Sequence, residues 1–213
     1  MTPQQRVKFF KLLELNNPNP ASELEYTTPF TLLIAVILSA QATDKSVNKA
    51  TKLLFAHHTT PEDFLALGEE KLKEAIRMIG LYKTKTSHIM KTCALLVQKH
   101  NSQVPSTRAE LEALPGVGRK TANILLNTVF GLSTIAVDTH VFRVSNRTGL
   151  AIGKTPAEVE HVLEKVVPQT FRKHAHHWLV LLGRYTCKAR LPECWRCPVQ
   201  AVCEYEKKSE KPS

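Results

Sequence analysis

The sequence predicts an all-α protein, and three observations predict it. Apolar residues recur at helical spacing (i, i+3, i+4, i+7) along nearly the whole chain. Helix-start signatures punctuate that pattern. Thr107-x-x-Glu110 and Thr155-x-x-Glu158 have capping-box spacing, Pro156 follows the second cap, and Thr60-Pro61 opens another helix. Alternating strand patterns and Asn-Gly or Asp-Gly hairpin turns are essentially absent.

Taken in order, helices are expected at 2–15, 22–40, 44–56, 61–67, 69–78 and 83–100, then 107–114, 119–130, 139–148, 156–166 and 171–186. The turn-rich run Asn16-Asn-Pro-Asn-Pro-Ala21 separates the first helix from the rest. Phe30–Ala40 is apolar on every side, so that helix belongs at the centre of a core. Gly68 falls near the end of the helix that Thr60 opens, and Gly131 and Gly149 occupy C′ positions after two later helices. A second boundary is expected at Gly131–Thr134, and Glu204–Ser213 reads as a solvated end.

Composition narrows the function. With 43% apolar and 23% charged residues in 213, the chain can build a packed core and is not a disordered one. Lys+Arg is 29 against 19 Asp+Glu, a net charge of +10. The excess is spread over both halves, 13 against 9 in residues 1–106 and 16 against 10 in 107–213. That is the footprint of a phosphate-backbone binder, although a merely basic enzyme would show it too. At 7% aromatic, base stacking is not the main theme. The longest apolar run, Leu32–Leu38, is far short of the roughly 20 residues a bilayer span needs. The N-terminus has no signal-peptide core, so no membrane association and a cytoplasmic location are expected.

Three motifs carry chemistry. In Leu114-Pro-Gly-Val-Gly-Arg-Lys-Thr-Ala122, Pro115 ends one helix and two glycines permit a tight turn into the next. A turn feeding a helix N-terminus offers free N–H groups that suit a phosphate and read no base sequence. The flanking Leu114 and Arg119 and the apolar second helix raise this above a plain connector, toward a helix-hairpin-helix. Lys120 falls in the first turn of that second helix, where the macrodipole disfavours an ammonium, and a deprotonated lysine is a nucleophile. Asp138, in Ile135-Ala-Val-Asp-Thr-His-Val141, opens a helix and so reads first as an N-cap, a role that would also fix its carboxylate.

The third motif is Cys187-x6-Cys194-x2-Cys197-x5-Cys203, four of five cysteines within 17 residues. Such clustering reads as metal or cluster ligation. A zinc site and a [4Fe–4S] cluster stand near parity on spacing alone. Lys188, Arg190 and Arg196 lie inside the loops and can present cations to a backbone, while Cys93 sits on an apolar helix face and reads as core.

Together, Leu114–Ala122, Val137-Asp-Thr-His-Val141 and the cysteine tail resemble the endonuclease III family of helix-hairpin-helix DNA glycosylases. The resemblance extends through Leu38-Ser-Ala-Gln-Ala-Thr-Asp44 and Ile79-Gly-Leu-Tyr-Lys-Thr-Lys85, hence over nearly the whole chain. It implies two helical domains with a DNA-binding cleft between them. Residues 22–132 would form a six-helix domain, and 1–21 with 133–213 an iron–sulfur domain. The implied activity is that of a bifunctional DNA glycosylase and AP lyase acting on oxidised pyrimidines in duplex DNA. Its implied partner is duplex DNA with oxidised or abasic lesions, bound by a nucleoid-associated monomer. Lys120 would attack C1′ and form a Schiff base, and Asp138 would assist it. Gln41 and Leu81 would fill the gap left by a flipped nucleotide and wedge the opposite strand. Gly116, Val117, Gly118, His140, Lys188 and Arg190 would contact DNA. Cys187, Cys194, Cys197 and Cys203 would ligate a [4Fe–4S] cluster, tipping that choice away from zinc.

Overall fold

A computed structural model of the chain describes residues 1–211, and among them are eleven α-helices, three short 3-10 turns and no strand. The chain packs as two compact units, one of Ser22–Phe130 and the other of Met1–Ala21 with the segment from Gly131 onward.

The central unit is built on α2 (Pro29–Ser39), in which every residue from Phe30 to Leu38 is buried. Around it stand α3 (Asp44–His57), α6 (Tyr82–Lys99) and α8 (Arg119–Thr128). The unit also holds α4 (Pro61–Leu67), α5 (Glu69–Ala75) and α7 (Arg108–Glu112). Gly68, at φ 82°, is the one residue between α4 and α5, a conformation glycine reaches without strain. Phe30 meets Phe64 of α4 edge to face at 5.2 Å, and Leu72, Ile76, Ile89 and Leu96 are fully buried beside them. Each such side chain contributes about 1.5–3 kcal/mol of burial. Cys93 is fully buried too.

α2 starts seven residues later than the apolar pattern predicts. Thr28 and Thr31 form a reciprocal cap, each hydroxyl accepting from the other's amide at 2.9–3.1 Å, and Pro29 takes the first helical position. The preceding stretch stays outside the helix and is tied to α3. Asn48 accepts from Glu25 N–H at 3.0 Å and donates to Glu23 O at 2.8 Å. Two predicted capping boxes form only in part. Thr107 and Thr155 do accept from Glu110 and Glu158 amides. The glutamates, however, turn elsewhere: Glu110 accepts from the Thr107 hydroxyl, and Glu158 from Lys154 N–H at 2.8 Å.

In the other unit, α1 (Pro3–Asn16), α9 (Thr139–Thr148), α10 (Pro156–Val166) and α11 (Arg172–Tyr185) enclose a second core. An aromatic group fastens the N-terminal helix into it. Phe10 stacks on Phe171 at 5.7 Å and lies 6.3 Å from Trp178, whose indole donates to Asn17 O at 2.8 Å. Aromatic pairs of this kind add about 0.5–1.5 kcal/mol beyond burial. The terminal amine of Met1 pairs with Glu204 at 2.5 Å. Because Phe10 is fully buried between two other rings, Phe10→Ala is expected to destabilise the protein by about 3–5 kcal/mol, measured by urea unfolding.

Candidate functional site

The glycine turn joins α7 to α8. Leu114 and Val117 are buried, and Val117 N–H donates to Leu114 O at 3.1 Å. The buried Thr92 of α6 donates its hydroxyl to Pro115 O at 3.0 Å, which fixes the turn on the core. Gly116 has φ 80°, and a Cβ there would stand 3.1 Å from His88 Nδ1. Gly118 differs from expectation: it is extended at φ −101° and serves as the N-cap of α8. Having no side chain, it places no capping group over the first turn of α8, the arrangement that suits an anion. Lys120 is the second residue of that helix and is exposed.

Gln41 and Leu81 sit in the same unit, in two turns tied to one side chain. Gln41 occupies the third position of a turn closed by Ala42 N–H to Ser39 O at 3.1 Å. Ala40 has φ −58° and ψ 115°, and Gln41 has φ 55°. These are the values of a type II turn, whose third position usually takes glycine. Leu81 is the N-cap of α6, also left-handed at φ 59°, where a leucine supplies no cap. Both are exposed. Between them lies Lys85, 4% exposed, whose Nζ donates to Leu38 O at 2.8 Å and Ala40 O at 2.6 Å. Burial pushes its amine below the ordinary lysine range. The sequence reading passed over Lys85. The signal was there: it lies one turn after Leu81 and four residues before the buried Ile89.

Asp138 belongs to the other unit and is the N-cap of α9, as its position suggests. One carboxylate oxygen accepts from both His140 and Val141 amides at 2.8 Å, so the group is held half-buried at the positive end of a helix. The strand-like lead into it is pinned by His176, whose Nδ1 donates to Ala136 O at 2.8 Å. His140 is half-buried, and burial pushes its imidazole below the usual range. Arg143 donates to its Nδ1 at 3.2 Å, which requires the neutral ring.

The four clustered cysteines line one pocket together with Leu182, Arg147 and Lys208. Two arginines of α9, also missed in the sequence, hold this loop. Arg143 donates to Cys187 O at 3.0 Å and Gly183 O at 2.7 Å. Arg147 donates to Lys188 O at 2.7 Å and Ala189 O at 3.3 Å, approaches Cys187 Sγ at 3.6 Å and lies 5.1 Å from the centre of the Tyr205 ring. Burial pushes the Cys197 thiol up to about 11, and that of Cys203 up as well. A metal core would remove those protons, and the Arg147 guanidinium suits the negative charge of a four-thiolate site. Lys188 is paired with Glu193 at 2.7 Å, whereas Arg190 is exposed. No helix among the described residues is long and apolar enough to cross a membrane.

Residues 34–169 match the HhH-GPD superfamily of base excision DNA repair proteins. The chain belongs to this superfamily. It is 55% identical over 210 residues to endonuclease III of Haemophilus influenzae, covering 99% of this chain and 100% of that protein. Endonuclease III of Escherichia coli is likewise 55% identical, over 98% of this chain and 99% of its own length. Among solved structures, a trapped endonuclease III–DNA covalent intermediate superposes with a TM-score of 0.89 at 46% identity, over 96% of both chains. This HhH-GPD protein therefore has the fold of an enzyme captured in covalent linkage to DNA. The cysteine tail lies beyond the residues that define the superfamily match. Since Gly116 combines a left-handed backbone with a tight approach to His88, Gly116→Ala is expected to cost about 1–3 kcal/mol of stability, read by chemical denaturation.

Proposed function

We propose that this chain removes oxidised pyrimidines from duplex DNA and then cuts the strand on the 3′ side of the abasic site. The observation that carries the reading is Lys120, placed in the first turn of α8 directly after the glycine turn, in a chain that aligns end to end with endonuclease III. A base-excision glycosylase and lyase needs one amine beside a phosphate grip, and α8 supplies both on a single helix start.

In this reading the Lys120 amine attacks C1′ of the flipped nucleotide, the glycosidic bond breaks, and the base leaves with a proton. Opening of the sugar ring gives the Schiff base. Loss of a C2′ proton then expels the 3′ phosphate by β-elimination, and water frees the lysine. Asp138, rigid at its cap, stabilises the cationic sugar and assists the amine. Gly116, Val117 and Gly118 grip a phosphate through backbone amides. Gln41 and Leu81 enter the duplex where the nucleotide has left, and Lys188, Arg190 and His140 add contacts to the backbone.

The unit holding the cysteines is the iron–sulfur domain in this reading. Cys187, Cys194, Cys197 and Cys203 would hold a [4Fe–4S] cluster, for which four thiols around one pocket beside an arginine are a fitting donor set. When bound, it would cross-link the loop through these four thiolates. The chain acts as a monomer in the nucleoid.

Borohydride trapping on duplexes carrying thymine glycol, an abasic site or no damage tests the reading. Lys120→Gln is expected to keep affinity for the abasic duplex and lose the covalent band; persistence of the band would assign another nucleophile. Asn caps helices as well as Asp does. Asp138→Asn is therefore expected to leave the melting temperature nearly unchanged while slowing base release by roughly 100-fold or more. An equal loss of stability would reduce Asp138 to its capping role.

A further inference from the structure

We propose that Lys85 is a positioning residue for Gln41 and Leu81, setting the spacing between the two turns that enter DNA; this rests on the reading that those two side chains do enter it. Three observations carry it. The ammonium is buried, and it donates to Leu38 O and Ala40 O, the carbonyls at and just before the turn that presents Gln41. It also stands one helical turn from Leu81, whose carbonyl accepts from Lys85 N–H at 3.0 Å. The two turns approach each other directly, since a Cβ on Gly80 would lie 3.9 Å from Gln41 O.

One side chain thus joins the C-terminal end of α2 to the N-terminal end of α6. The carbonyls at a helix end have no partners within the helix, and a cation there is favoured by the macrodipole. The residues on either side are held in left-handed backbone without being glycine, a conformation that persists only where the surroundings impose it. Lys85 links the two, its side chain bonded to the turn of Gln41 and its backbone amide to Leu81. Buried as it is, it makes no contact with the substrate and acts through the two turns.

A double-mutant cycle tests this on a thymine glycol duplex, reading the single-turnover rate of base release and the Kd for undamaged duplex. Lys85→Met is expected to slow base release on the order of 10- to 100-fold. The Kd for undamaged duplex should stay within about twofold, because exposed cations set non-specific affinity. In a chain already carrying Gln41→Ala and Leu81→Ala, the same change should cost less than about twofold, since nothing is left to position. If the Gln41→Ala, Leu81→Ala chain releases base at the wild-type rate, the reading of those two residues fails and the proposal with it. If that chain is slow and Lys85→Met multiplies its defect in full, positioning alone is overturned and the reading stands. Should Lys85→Met fail to fold by circular dichroism, Lys85→Gln, which retains one donor group, takes its place in the cycle. Loss of helical signal in both variants would assign Lys85 to the fold and overturn the proposal.

Discussion

A helix leaves its first four amides and last four carbonyls without partners in its own ladder, and something outside the helix must answer them. In this protein the answers and the candidate chemistry coincide. Asp138 satisfies two amides at the start of α9 and is thereby fixed as a carboxylate. The start of α8 is capped by Gly118, so no capping side chain covers the helix start beside Lys120. At the end of α2 the carbonyls are answered by a lysine from another helix. Had each helix start been closed by an ordinary serine or threonine cap, the fold would be as well satisfied and the site would be absent.

Backbone strain separates these ends from routine turns. Asn101 and Ser102 are left-handed too, but they close the end of α6, with Ser102 N–H donating to Leu96 O at 2.9 Å. That is a common way for a helix to stop. Gln41 and Leu81 have no such excuse, and a bulky residue at positive φ costs about 1–3 kcal/mol. Leu191, at φ 50° and 87% exposed beside Arg190, is a third case, within the cysteine loop. Long side chains held outward at strained positions are poor choices for stability and good ones for reaching into a partner.

Local signals were the legible part of the sequence. Caps and glycine stops marked most helices within a residue or two, because hydroxyl-to-amide bonds are made between neighbours in the chain. The start of α2 was misplaced because Ser22–Thr28 is held by Asn48, about 25 residues away. The cysteine spacing and the glycine turn announced themselves as motifs. Lys85, Arg143 and Arg147 did not, since their carbonyl partners lie 40 or more residues distant and carbonyls have no sequence signature. Lys188 looked like a free cation, and a glutamate five residues on in an irregular loop pairs with it.

α9 shows how these long-range bonds organise the unit that contains it. Its first residue follows Asp138, its middle carries Arg143 and its last turn carries Arg147, so one rigid rod reaches from the candidate carboxylate to Cys187. The rod is seated closely: a Cβ on Gly183 would come within 2.8 Å of His140 Cβ, so α11 and α9 meet at a point only glycine allows. The cysteine loop has little core of its own. Beyond Thr186 only Cys187, Val199 and Val202 are buried apolar residues among those described, and its regular structure is two 3-10 turns of three residues each. Burial on that scale does not order some twenty residues, each costing about 1–2 kcal/mol of backbone entropy. The arginines supply part of what is missing, and a group binding all four thiols would supply the rest. Both arginines spring from α9, so the loop is bonded to the same helix whose start fixes Asp138.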